Sequence, residues 1–174
     1  LFEAEHFKRM ENSARHYGFN FTKPRLKPEN DGIVRLLLSK DGTIKQEYKE
    51  LHPCKTNKIT ISPIIVNSKN DFLYHKTTYR PYYFDSMQKI ARGEVFDEIF
   101  LNEKGELTEG SRSNIVLEID GKLFTPPVKC GLLNGIFRQS MKNVNEKILY
   151  KSDLYKAEKI YCINSVRKIV EVKL

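Results

Sequence analysis

The chain has 174 residues, 40% hydrophobic and 11% aromatic, enough to bury one sizeable core or two small lobes. Lys and Arg number 30 against 22 Asp and Glu, and the resulting net charge of +8 favours anionic partners; the basic residues are spread out, however, and no RNP, KH or zinc-finger pattern occurs, which argues against nucleic-acid binding. No apolar run is long enough to span a bilayer, the start LFEAEHFKRMENSA is charged and amphipathic, and Cys54, Cys130 and Cys162 are too scattered for a metal site, so the expectation is a cytoplasmic protein with reduced thiols, no metal and no membrane association.

In chain order, Phe2, Phe7, Met10, Ala14 and Tyr17 recur at helical spacing between charged residues, predicting an amphipathic helix over 2–17 ended by Gly18. The turn-rich stretch TKPRLKPENDG follows. Strands are predicted at 33–39, 44–48 and 58–66, the first two joined by the KDG turn and the third bent or at an edge because of Pro63. A helix over 85–91 closed by Gly93 precedes a strand at 98–102. Two short strands at 114–119 and 122–126 flank the Asp120-Gly121 hairpin signal. A helix over 135–147 and strands near 159–164 and 169–173 complete an α+β pattern, since hairpins outnumber any βαβ winding. The expected division is a small N-terminal lobe, 1–70, and a larger lobe, 71–174.

Three segments carry chemistry. In DFLYHKTTYRPYYF, 71–84, Lys76 stands among aromatics; on that stretch alone it reads as a surface lysine laying its stem on apolar neighbours, and an amine kept for covalent chemistry is the rarer case. In LTEGSRSN, 107–114, Glu109 sits at a strand-to-turn junction among small residues that let a flat ring approach. Taken alone it reads as a solvated turn carboxylate. In GLLNGIFRQ, 131–139, Asn134 can cap a helix whose first N–H groups, at Gly135 and Ile136, would face an anion, while Arg138 reads by default as a surface charge. A pyridoxal phosphate enzyme needs one of each: an attachment lysine, an acid for the pyridine nitrogen and donors for the phosphate.

Taken together, HFKRMENSA at 6–14, YHKTTYR at 74–80, DEIFLNEKGELTEGSRSNIVLEIDGKLFTPP at 97–127 and GLLNGIFRQ at 131–139 resemble the class IV aminotransferase family, the fold-type IV pyridoxal phosphate enzymes. HKTT with a following Arg is most similar to the family's aminodeoxychorismate lyase branch. The resemblance implies a two-lobed α+β fold of the D-amino-acid-aminotransferase type and pyridoxal 5'-phosphate as cofactor. Lys76 would be its attachment point and the catalytic acid and base. Glu109 would pair with the ring nitrogen, and Arg9, Asn114, Gly135, Ile136, Asn164 and Ser165 would complete the cofactor set. The substrate would be a small dicarboxylate, with Arg80, Arg112 and Arg138 as available cations, and the products 4-aminobenzoate and pyruvate. The active form would be a homodimer, with association to an aminodeoxychorismate synthase as a further implied partner. A branched-chain or D-amino-acid aminotransferase shares every cofactor residue, and a non-catalytic domain of the same fold is the alternative of another class. The family opens with a strand hairpin ahead of the helix that here starts the chain, so an incomplete N-terminal lobe is also implied.

Overall fold

The computed structural model describes residues 2–26 and 32–174. Residues 27–31 of the predicted turn-rich stretch lie outside the described residues. Chain contacts divide into two compact units, Leu1–Pro53 and Cys54–Leu174.

In the first unit, helix α1 spans Glu3–Tyr17 and buries Phe7 and Ala14, two turns apart on one face. Glu3 and Glu5 in its first turn and Arg15 and His16 in its last complement the helix dipole. Gly18, at φ 67°, turns the chain out of the helix so that the Phe19 N–H reaches the Ala14 carbonyl at 2.8 Å. Strands β1 (Ile33–Leu38) and β2 (Ile44–Lys49) form an antiparallel hairpin in which Leu38 faces Ile44. Asp41 fixes its turn by accepting from the Thr43 N–H at 2.9 Å and from the Thr43 hydroxyl at 3.0 Å.

The second unit holds two sheets. Strand β3 (Ile59–Val66) runs parallel to β4 (Asp97–Asn102), which pairs antiparallel with β5 (Leu107–Gly110). The other sheet has the order β10-β9-β6-β7-β8, with β6 Asn114–Ile119, β7 Lys122–Thr125, β8 Val144–Glu146, β9 Lys159–Asn164 and β10 Lys168–Val172. Pro63 is accommodated because β3 lies at the edge of its sheet, where a missing N–H breaks no ladder, and the register with β4 shifts between Ile61 and Ile65. The pairing of β3 with β4 places residues 54–70 in the second unit, so the division falls earlier in the chain than the predicted boundary at 70.

Strands β4 and β5 are buried almost throughout, so they do not alternate between a wet and a dry face. Ile59, Phe96, Ile99, Leu107, Ile115, Leu117, Leu149 and Cys162 form the main core. At about 1.5–3 kcal/mol for each large apolar side chain removed from water, this cluster dominates the unit's stability. A second cluster of Val66, Leu73, Tyr83 and Phe100 lies under the lysine-bearing segment. That segment runs through short 3-10 turns at Asp71–Tyr74 and Pro81–Tyr83 into α2, Phe84–Arg92, which Gly93 closes at φ 79°. Asp120 and Gly121 both take positive φ, the two-residue turn that their sequence predicts between β6 and β7.

The helix predicted over 135–147 is corrected. It stops after five residues, α3 Ile136–Ser140, because Asn143 turns left-handed (φ 63°) and Val144 continues as β8 beside β7. Helix α4, Lys151–Lys156, had no sequence expectation. It is a single short stretch whose start is marked by the Tyr150 N–H donating to Asp153 at 2.7 Å. No helix among the described residues is long and apolar enough to cross a membrane.

Candidate cofactor site

The site is built around the turn Ser111–Ser113, which joins β5 to β6. The fold bends there over a buried carboxylate, Asp97 of β4, which is 0% exposed. Asp97 accepts from the Ser111 N–H at 2.8 Å, the Ser111 hydroxyl at 2.6 Å, the Ser113 hydroxyl at 2.5 Å, the Arg112 N–H at 3.3 Å and the Glu98 N–H at 2.9 Å. Burial pushes its carboxyl upward, and the donors of Ser111, Ser113 and Arg112 pull it down. Gly110 is required beside it, since a Cβ there would come within 2.3 Å of the carboxylate.

This packing sets the position of Glu109, the last residue but one of β5, which is 3% exposed. Its Oε1 accepts from the Tyr83 hydroxyl at 3.2 Å and faces an Arg80 guanidinium nitrogen at 3.5 Å. Its Oε2 accepts from the Asn114 amide at 3.1 Å, and that amide also donates to the Leu133 carbonyl at 2.9 Å. Arg80 stacks with its Cζ 4.2 Å over the Tyr83 ring and donates to the Ser111 carbonyl at 3.0 Å. Burial raises the pKa of Glu109, while the charges of Arg80 and Lys76, the Leu133 N–H and the Tyr83 hydroxyl lower it. Tyr83 itself is raised far above its usual range, chiefly by burial and then by the charge of Glu109.

Of the residues singled out in the sequence, Lys76, Arg80, Glu109 and Asn114 are brought into one electrostatic group. Lys76 is exposed and its charge bears on Glu109. Gly135 packs against Asn114 so closely that a Cβ would lie 2.1 Å from its side-chain oxygen, and Ile136 is buried next to it. Asn164, the last residue of β9, donates to the Arg112 carbonyl at 3.3 Å and accepts from the N–H groups of Val166 and Arg167 in the turn to β10; half-buried Ser165 follows. Arg112 lies 4.4 Å over the Phe96 ring, and its buried Nε, like that of Arg138, has no hydrogen-bond partner among the described residues. Arg9 belongs to the first unit, where it donates to the His6 ring at 3.3 Å.

Two expectations change. Asn134 does not cap α3: the cap position is Gly135, and the Asn134 side chain accepts from Arg138 at 3.1 Å. Arg138 is engaged within the fold, its side chain 7% exposed, donating to the Pro126 carbonyl at 3.0 Å and to Glu146 at 2.6 Å. Sequence reasoning assigned no role to Asp97 or Tyr83. The available signal for Asp97 was a carboxylate opening an apolar strand, with a Gly-Ser-Arg-Ser donor turn one hairpin away.

These features fit a flat, charged heteroaromatic ring. A buried carboxylate is already held by three donors, and a lysine lies close enough to act on it electrically. The family described as amino-transferase class IV matches residues 1–174. The chain belongs to the class IV aminotransferases. Among members of the family, a Schizosaccharomyces pombe protein named "Putative aminodeoxychorismate lyase" is 25% identical over 94% of this chain and 80% of its own length. The crystal structure of a "Putative amino-acid aminotransferase" from Mesorhizobium loti superposes with a TM-score of 0.90 at 26% identity, covering 100% of this chain and 92% of that one. The PLP-bound form of a hypothetical aminotransferase from Mycobacterium tuberculosis shares the fold at a TM-score of 0.57 and 23% identity, over 67% of this chain and 46% of that one.

Proposed function

We propose that this class IV aminotransferase family member is a pyridoxal-phosphate-dependent 4-amino-4-deoxychorismate lyase, releasing 4-aminobenzoate and pyruvate. The observation that carries the cofactor assignment is Glu109, a carboxylate buried to 3% exposure and reached by Tyr83, Arg80 and Asn114. The substrate assignment is supported by the near full-length match to the Schizosaccharomyces pombe relative and by the HKTTYR segment.

Bound pyridoxal phosphate would supply an electron sink that makes the C–H beside the substrate amine acidic. Lys76 would hold the cofactor covalently until the substrate amine displaces it. Its freed amine then takes the proton from C4 of the substrate ring and hands it to the departing ether oxygen at C3. Glu109 keeps the ring nitrogen protonated by opposing its charge. Asn114 orients Glu109 through Oε2, and Tyr83 does so through Oε1. Gly135, Ile136, Asn164 and Ser165 are proposed for the phosphate end. Arg112, whose guanidinium lies over the Phe96 ring, is proposed for a substrate carboxylate in preference to Arg138, whose terminal nitrogens already donate to Asn134, Pro126 and Glu146. The active species is proposed to be a homodimer, which sedimentation equilibrium would test.

The Mesorhizobium loti neighbour favours a second reading, amino-acid aminotransfer on the same cofactor residues. Supplying 4-amino-4-deoxychorismate to cofactor-loaded protein, with lactate dehydrogenase and NADH but no keto-acid acceptor, separates the two. The lyase consumes NADH as 4-aminobenzoate appears. No pyruvate, together with conversion of bound cofactor to its amine form by branched-chain or D-amino acids, would establish the aminotransferase instead.

A further inference from the structure

Arg80 was expected to face a substrate carboxylate, but its guanidinium is committed on three sides. It stacks on Tyr83 at 4.2 Å, donates to the Ser111 carbonyl at 3.0 Å and approaches Glu109 Oε1 at 3.5 Å. The Ser111 carbonyl is itself fixed, because Asp97 holds the same residue through its N–H and its hydroxyl. A planar fork anchored by a backbone acceptor and an aromatic face has little freedom left, and its remaining edge points at the buried acid. We infer that Arg80 is the resident counter-ion of Glu109, a positioning residue that orients the acid and favours its charged form before any cofactor ring arrives. The inference rests on reading Glu109 as the acid for the ring nitrogen.

The physical need is plain. A carboxylate taken out of water with no cation beside it takes up a proton. The titratable groups facing Glu109 are Arg80, Lys76 and Tyr83; Asn114 and the Leu133 N–H add neutral donors. Arg80 exerts the largest downward influence, and Lys76 follows. Lys76 is the residue that the proposed chemistry consumes as an attachment point, so its ammonium is not a permanent charge. A guanidinium stays charged at every working pH. Among the described residues, Arg80 is therefore the side-chain cation at Glu109 that persists through a turnover. It also tempers the acid: one carboxylate shared by two cations grips the ring proton less firmly than it would alone.

The test uses cofactor-free full-length protein carrying ¹³C-labelled Glu, with the Glu109 carboxyl signal assigned by its loss in Glu109→Gln. In Arg80→Met the Glu109 midpoint should rise by about one pH unit or more, roughly a tenfold gain in proton affinity, which is the low end for removing an opposite charge within 4–6 Å. Arg80→Lys should lie between the two. A folded Arg80→Met protein with an unchanged midpoint overturns the inference. If that variant does not fold, the wild-type protein still decides: the Arg80 guanidinium ¹⁵N signals must shift with the same midpoint as Glu109, and signals that ignore it overturn the inference. A merely structural arginine would not move this titration. No cofactor is present, so the reading of Glu109 as ring acid can fail in cofactor-binding experiments while this result stands, and the reverse.

Discussion

Two buried carboxylates on neighbouring strands, Asp97 of β4 and Glu109 of β5, are held in opposite ways. Asp97 takes five donors at 2.5 to 3.3 Å, four of them from the turn Ser111–Ser113 that immediately follows Glu109. Glu109 takes longer contacts, 3.1 to 3.5 Å, from Arg80 and Tyr83 of one segment and from Asn114 of another. A burial cost met by one short local turn makes a carboxylate part of the fold. A burial cost met loosely from several directions leaves an acid whose charge is available to a further partner. The same strand pair thus carries one acid that sets the turn and, on the function proposed above, a second that the turn holds ready for a cofactor ring.

The comparison breaks first, and most visibly, on activity. Glu109→Gln should lower turnover of cofactor-loaded protein by about 100-fold or more, since a preorganised charge is lost at the reacting ring, while its thermal midpoint stays close to that of the parent. Near-parental kcat would return Glu109 to the status of an ordinary buried polar group. Asp97→Ala should do the reverse. It strands the donors of Ser111, Ser113 and Arg112, and urea titration should show a loss of about 2–4 kcal/mol. A variant of parental stability would mean that the turn does not depend on its carboxylate.

The smallest effects are pH slopes, and a third carboxylate sharpens the contrast. Exposed Glu103 accepts from the Ser68 hydroxyl at 2.6 Å and the Ser68 N–H at 2.7 Å, and these bonds hold its pKa down to about 2. A lowered folded pKa contributes stability above the unfolded value near 4.5 and loses it as pH falls towards 2. Glu109 has the opposite sign: its raised pKa contributes stability below 4.5 that is lost as pH rises through the folded value. Stability of the cofactor-free Glu103→Gln variant should therefore converge on the parent's in acid. Glu109→Gln should flatten the decline on the alkaline side, and equal slopes in all three proteins would contradict both assignments.

Much of this molecule could be read from its residues. Gly18 and Gly93 ended their helices and Asp120-Gly121 turned its hairpin, because each relies on a local backbone conformation that few residues adopt. The helix predicted beyond Ser140 failed because the pairing of β8 with β7 is non-local and outweighs the propensity of MKNVNEK. The motifs marked out Glu109 and Asn114, which the fold brings into contact. Arg80 and Arg138 were legible only as charges. Their partners, Ser111 and Glu109 for one and Pro126 and Glu146 for the other, are set by how distant segments meet. Asp97 was hidden for the same reason, as its donors lie across a hairpin whose register no local pattern encodes.

The account depends most on Lys76 and Glu109 belonging to one cofactor site. Incubating the protein with pyridoxal phosphate, reducing with borohydride and mapping the peptides by mass tests this most directly. The pyridoxyl group should appear on Lys76, and its yield should fall in Glu109→Gln far less than turnover does. Labelling of a different lysine, or of none, would contradict the account.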